Sequence, residues 1–435
     1  MRESISKGGG FTAAIFKDLA FSVIFRFSGL GITFLTGIFL ARNVGPGLFG
    51  EYSLAITWLA VFSVVMSVGM PELVMRSVAS LGKLDKDKEI FACFLEGNLA
   101  LIAVHLLGLA LALLCVFIFS INPVYAVISV LLVSAGAFLN YFQGFIRGRF
   151  SGASALVVQS VIVPLTFLLL VSASIFIDNE VTLLRIFICL LLSNFIGLCC
   201  ALYYVFRFFR TQDFPLSWQI NGRLGLKLFA GLPFMLLALL ALLNIRADMM
   251  VLGLVSTSAE LGVYAAAAKL SELFLIPVVL INFSLLPDVV RLLSTREIGI
   301  AKARVVVVYK LIVLGYLPAL LLAFLYSAEI VEFVYGAEFS MAAELLKMFL
   351  VAQSANILWG AGGLVLLAAS HEGLSLKIGI LAFVLSMFLM FVFGTTFGIF
   401  GLAFGSCIGF VIWRVMLSMA VDSKLGKGFS IISAI

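Results

Sequence analysis

Five ionisable residues sit at membrane depth in runs that are otherwise hydrocarbon. The stretch LLNIRADMMVLG (242–253) holds Arg246 and Asp248, an earlier apolar run holds Arg26, and the following one holds Lys269 and Glu272. A charge at the centre of a bilayer costs about 2.5–3.5 kcal/mol on insertion scales, so such residues face a protein interior or a water-filled cavity. Fixed cations in such a cavity can hold an anion. Arginine suits a phosphate because its planar fork bonds two oxygens at once. Carboxylates at the same depth can position those cations or exchange an ion.

Spacing divides the work among them. Lys269 and Glu272 are three apart, share a helix face and can pair. Arg246 and Asp248 are two apart and point to different sides, so they cannot satisfy each other. Counted from a turn near 256–260, Asp248 and Lys269 fall at similar depth. That predicts an Asp248–Lys269 bridge, with Arg246 left to face a cavity opposite Arg26. The alternative is a set of mutually neutralising ion pairs that only fix helix packing. Three cations against two anions favour the cavity and an anionic ligand. Arg414, near the inner end of the last run, is expected to snorkel to the interface. Glu96 and His105 are weaker candidates, expected as packing residues.

Other chemistries lack their residues. The six cysteines (93, 115, 189, 199, 200 and 407) lie inside apolar runs, with no CxxC pair and no histidine cluster. No phosphate-cradling GxxxxGK[ST] and no HExxH occurs, so neither ATP hydrolysis nor a metal centre is expected, and no cofactor.

The elements that carry these charges follow from composition. Of 435 residues 63% are hydrophobic and 11% charged, against about 25% charged in soluble domains. The expected class is all-α, a polytopic membrane protein. Runs of about 20 apolar residues give twelve candidate spans, near 19–41, 51–75, 90–119, 124–146, 153–177, 182–206, 228–255, 262–290, 305–326, 344–369, 378–398 and 401–421. The first is expected as an uncleaved span. The last two are separated only by the glycine-rich TTFGIFGLAFG (395–405). With alternating sides and both termini in the cytoplasm, inner connections take most of the 28 basic residues, while outer ones hold Arg42, Arg185 and Lys347. That asymmetry follows the positive-inside rule, so the net charge of +6 reflects orientation and not nucleic-acid binding.

The connection at about 207–227 divides the chain into two expected six-helix lobes, 1–212 and 213–435. A repeat supports the division. GEY (50–52) and PELVMR (71–76) in the second span match GVY (262–264) and PDVVR (287–291) in the eighth. Parallel repeats of this kind occur in transporters that rock two lobes around a central site. Pro164, Pro277 and Pro318 fall inside spans and are expected to kink them, while Pro233 lies nearer a helix start.

Two stretches resemble a known family. Residues 37–79, GIFLARNVGPGLFGEYSLAITWLAVFSVVMSVGMPELVMRSVA, are similar to the first outer loop and second helix of Wzx-type polysaccharide flippases. Residues 232–277, with the aspartate and the Gly-x-Tyr after the turn, are similar to their seventh and eighth helices. These belong to the multidrug/oligosaccharidyl-lipid/polysaccharide exporter superfamily. The resemblance implies two six-helix bundles around a central cavity, in the cytoplasmic (inner) membrane. It implies transfer of a polyprenyl-diphosphate-linked oligosaccharide between leaflets by alternating access, driven by H+, Na+ or the membrane potential. It places Arg26, Arg246, Lys269 and, at the outer mouth, Arg42 on the cargo's phosphates. Asp248 and Glu272 would pair with those cations or couple an ion. It implies membrane lipid and the polysaccharide polymerisation machinery as partners. A cation-coupled drug exporter of the same superfamily is the runner-up. A membrane enzyme acting on polyprenyl sugars lacks clustered carboxylates or an interfacial basic site, so a non-enzyme is expected.

Overall fold

The computed structural model describes residues 8–82, 87–119, 122–150, 152–177, 181–210, 224–359, 361–430 and 432. Much of the 207–227 connection, together with Lys83, Lys86, Asp178 and Glu180, lies outside the described residues. Among the described residues every regular element is helical. The first part of the chain forms α1 (Gly8–Ser67), α2 (Met70–Gly82), α3 (Asp87–Phe119), α4 (Pro123–Arg149), α5 (Gly152–Leu156), α6 (Val163–Ile177) and α7 (Leu183–Arg210). The rest forms α8 (Leu224–Val255), α9 (Ser258–Glu272), α10 (Ile276–Ser294), α11 (Ile298–Leu325), α12 (Ser327–Tyr335), α13 (Ala342–Leu358), α14 (Gly362–Ala368) and α15 (Glu372–Leu425).

Nine helices among the described residues are long and apolar enough to cross a bilayer. Their outer faces suit lipid: Phe117 is 86% exposed and Phe176 84%, surfaces that water would not tolerate in such number. The chain is a multi-pass membrane protein. Two of the nine, of 47 and 53 residues, exceed the length that a bilayer core of about 30 Å needs, and each breaks at one glycine. Gly45 (φ 72°, ψ 174°), followed by Pro46, interrupts α1 where a loop was expected. Gly398 (φ 60°, ψ −139°) turns α15 back on itself. A Cβ on Gly401 would lie 2.0 Å from the Phe393 carbonyl oxygen, and one on Gly405 2.7 Å from that of Leu389. The TTFGIFGLAFG connection is thus a hairpin bend without a loop.

Proline explains two other irregularities. A π-helical turn, Val157–Ile162, precedes Pro164, and a 3₁₀ turn, Leu273–Leu275, precedes Pro277. A proline lacks the N–H its i−4 carbonyl would use, so the preceding turn rewinds. Pro233 is a correction: α8 begins at Leu224, which puts it in the helix interior rather than the first turn.

The chain divides into two compact units, Met1–Phe39 with Ala55–Leu239 and Leu40–Leu54 with Leu240–Ile435. The first unit is centred on α4, flanked by α2 and α7. Its core is aromatic: Tyr141 is fully buried, donates to the Phe94 carbonyl at 2.8 Å, and stacks on the Phe94 ring. In the second unit α13 is the inner helix, buried against α9 and α15. The segment Leu40–Leu54 packs there too, with Phe49 fully buried and edge-on to Phe339.

Candidate functional site

The α8–α9 hairpin turns at Ser256–Thr257, where a capping box closes α9. The Thr257 hydroxyl accepts from the Glu260 N–H, and the Glu260 carboxylate accepts from the Thr257 N–H at 2.9 Å. This fixes the pairing of residues across the turn. Asp248 accepts from the Tyr264 hydroxyl at 2.7 Å and from the Met249 N–H at 2.8 Å. Tyr264 is fully buried, edge-on to Phe349. The expected Asp248–Lys269 bridge therefore does not form. From Ser256 the chain runs eight residues back to Asp248 and eight forward to Tyr264, but thirteen forward to Lys269. At 1.5 Å per residue that offset is about 7.5 Å, beyond correction by side-chain reach.

The remaining cations are engaged elsewhere. Arg246 pairs with Glu272, Nη2 to Oε1 3.6 Å, both side chains being partly exposed. Lys269 lies 5.8 Å from the centroid of the Phe49 ring. Arg42 donates from Nε to the Val334 carbonyl at 2.9 Å and from Nη2 to that of Phe333. It therefore caps the C-terminal carbonyls of α12, where the helix dipole favours a cation. Arg26, in the first unit, is exposed on α1.

Inside the second unit lies a cavity of about 270 Å³, walled by α8, α9, α13 and α15. Asp248 and Glu272 line it, and Glu272 is the carboxylate that pairs with Arg246. Arg246 is not among the side chains that wall this cavity, whereas the two carboxylates are. The remaining polar wall comes from Asn244, Ser271, Gln353, Asn356, Ser386 and Ser406, and the cation on it is Arg414. Arg414 does not snorkel. Its guanidinium carbon lies 4.7 Å from the Trp413 ring centroid and 5.0 Å from that of Phe410. Tyr264, Gln353, Asn356 and Arg414 were not anticipated as site residues. QSAN (353–356), a polar break in an apolar helix, and the adjacent Trp-Arg pair (413–414) are the signals that could have found them. Glu96 and His105 lie outside this cavity in the first unit, both buried, with His105 Nδ1 2.7 Å from the Leu101 carbonyl oxygen. Among the described residues no group of three His, Cys, Asp or Glu side chains is arranged to hold a metal.

Chemically the arrangement is a polar, charge-bearing cleft inside an apolar helical bundle, suited to holding a small charged group away from lipid. Solved structures share its fold. An inward-facing multidrug resistance MATE family transporter of the MOP superfamily matches with a TM-score of 0.72 at 13% identity, over 93% of this chain and 98% of that one. The lipid II flippase MurJ, in an inward closed conformation, matches at 0.67 and 15%, over 92% and 87%. A Vibrio cholerae MATE transporter, VcmN, matches at 0.59 and 18%, over 97% and 99%. A search of curated proteins finds no match. The family of polysaccharide biosynthesis proteins matches residues 15–293, more than half of the 435. In agreement with the resemblance in its sequence, the chain belongs to the polysaccharide biosynthesis protein family.

Proposed function

We propose that this protein is a flippase for a polyprenyl-diphosphate-linked oligosaccharide in the cytoplasmic membrane. The observation that carries the reading is family membership across residues 15–293 of a chain whose fold is shared with a lipid II flippase. The two lobes, 1–212 and 213–435, would alternate access to the cargo, which Arg26 and Arg246 help to hold by its phosphates. Lys269 is a lesser contributor, and Arg42 supports α12 instead. Asp248 and Glu272 supply the ion-responsive charge, with H+ or Na+ as the coupling ion.

The test is transport of a fluorescent polyprenyl-diphosphate oligosaccharide in proteoliposomes. Arg26→Ala and Arg246→Ala are expected to slow transfer by about tenfold, in proportion to the loss of a charge-assisted phosphate contact. Normal rates in both variants would sink the phosphate assignment of these residues. The carboxylates on the cavity wall support a second reading, a cation-coupled exporter. It predicts that Asp248→Asn abolishes drug efflux while Arg246→Ala is mild and the lipid-linked cargo is not moved.

A further inference from the structure

We propose that the inner end of the second unit is a docking surface for anionic phospholipid headgroups of the cytoplasmic leaflet, built on the α10–α11 turn and the C-terminal segment. Its centre is the motif PDVVR (287–291), none of which lines the cavity. Asp288 accepts from Arg304 Nη1 at 2.7 Å and lies 3.6 Å from Arg291 Nη2. One carboxylate thus aligns two guanidiniums and neutralises only one of them. The Arg291 and Arg304 side chains are 67% and 44% exposed. Their remaining N–H edges suit a phosphodiester, whose two free oxygens a guanidinium bonds together.

The turn carries a third cation at a strained position. A Schellman turn ends α10: the Glu297 N–H donates to the Leu292 carbonyl at 2.8 Å, and the Arg296 N–H to that of Leu293 at 3.2 Å. The left-handed position of such a turn is ordinarily glycine, yet here it is Arg296 (φ 60°), which is exposed. The chain accepts backbone strain to keep a cation there, and strain of this kind concentrates where function requires it. Ile298 and Ile300 follow, 36% and 54% exposed. Cations beside exposed aliphatic side chains suit a surface that rests in the headgroups with its apolar tips at the acyl boundary.

Charge and depth agree. From Asp288 to Arg304 four cations stand against two carboxylates. The segment 422–429 adds Lys424 and Lys427, both exposed, against Asp422. Phe429, 2% exposed, seats that segment on α11, with Lys302 Nζ 5.5 Å from its ring centroid. Glu372 and Lys377, at the head of α15, cancel. Counted inward from Tyr326, about 20 residues of hydrocarbon core end near Val306, so Arg304 falls at headgroup level. Lys310, exposed about one turn deeper, reaches the same level along its aliphatic stem. Each cation near an anionic leaflet adds a similar increment of attraction, so the cluster acts together. Such a surface is independent of the cargo moved.

Full-length protein in detergent would be titrated with phosphatidylglycerol, phosphatidylethanolamine, inorganic phosphate and undecaprenyl diphosphate, and the retained molecules counted by native mass spectrometry. Wild type is expected to retain phosphatidylglycerol in preference to phosphatidylethanolamine. Arg296→Gly should weaken phosphatidylglycerol binding about fivefold, and the Arg291→Gln/Arg304→Gln double variant about 25-fold, at one increment per cation. Arg296→Gly should not lower the melting temperature, because glycine takes a positive φ without strain; a cation with only a structural role would not separate the two readouts. Lys347→Gln, at the opposite end of the unit, is expected to bind as wild type. Equal retention of the two phospholipids overturns the proposal, as does wild-type preference in both arginine variants or an equal loss in Lys347→Gln. Stronger retention of undecaprenyl diphosphate or inorganic phosphate than of phosphatidylglycerol, lost in the same variants, overturns the assignment to phospholipid. Should the double variant fail to fold, Arg296→Gly decides. No transport is measured, so failure of the flippase reading leaves the lipid surface standing.

Discussion

At the residue scale, the decisive contact is between Asp248 and Tyr264, equidistant from the α8–α9 turn. The charges themselves were legible, because Arg246, Asp248, Lys269 and Glu272 stand out against hydrocarbon. Their partners were not, since partner choice depends on where the turn falls to within a residue or two. The same shift pairs Arg246 with Glu272, and Asp248 and Glu272 both stand on the wall of the second unit's cavity. The nearness of Arg414 to the inner end of its span predicts snorkelling, but that position says nothing about which way the helix face is turned. Tyr264→Phe removes the hydroxyl that Asp248 accepts from and leaves one buried carboxylate bond unmade. We expect a loss of about 1–3 kcal/mol in stability, read as a lower melting temperature in detergent. Tyr264→Phe with unaltered melting would show that the Asp248 contact contributes little.

At the scale of elements, the Gly-x-Tyr repeat acquires a physical meaning. The two motifs pack on each other within the second unit. A Cβ on Gly50 would fall 2.0 Å from the Ser258 carbonyl oxygen and 2.6 Å from the Gly262 nitrogen, and one on Gly262 would fall 1.9 Å from the Pro46 carbonyl oxygen. Ser258 also donates to Glu51 at 3.2 Å. Backbone lies against backbone here, as small residues permit between membrane helices. Sequence showed that the motif recurs, but a repeat read along the chain does not reveal that its copies touch. Gly262→Ala must push the helices apart, at about 1–3 kcal/mol for an overpacked site. A cysteine pair at 51 and 258 should crosslink readily in the parent and poorly in Gly262→Ala; equal crosslinking would mean that the crossing tolerates the methyl. Helix existence was plain from hydropathy, whereas the breaks at Gly45 and Gly398 were hidden because a single glycine φ turns the chain without a polar loop.

At the scale of the whole molecule, the basic residues give the orientation its test. A fluorescent protein fused after Ile435 is expected to mature in the cytoplasm. Alkaline phosphatase inserted at 340 is expected to be active outside. Inverted signals at both sites would reverse the orientation drawn from lysine and arginine. Fold class was readable at this scale because a mean hydropathy of +1.22 leaves lipid as the solvent. The assignment of Leu40–Leu54 to the second compact unit was not, since nothing in the composition of that segment distinguishes it from its neighbours.

That assignment has a consequence for synthesis. Glu51 and Ser258 are separated by 207 residues. At about 5–20 residues per second, the ribosome delivers the partner of this segment roughly 10–40 s after the segment itself. During that interval Gly50 lacks Ser258 and Gly262, and Phe49 lacks Phe339, so the nascent chain depends on insertion factors or lipid to keep them from pairing wrongly.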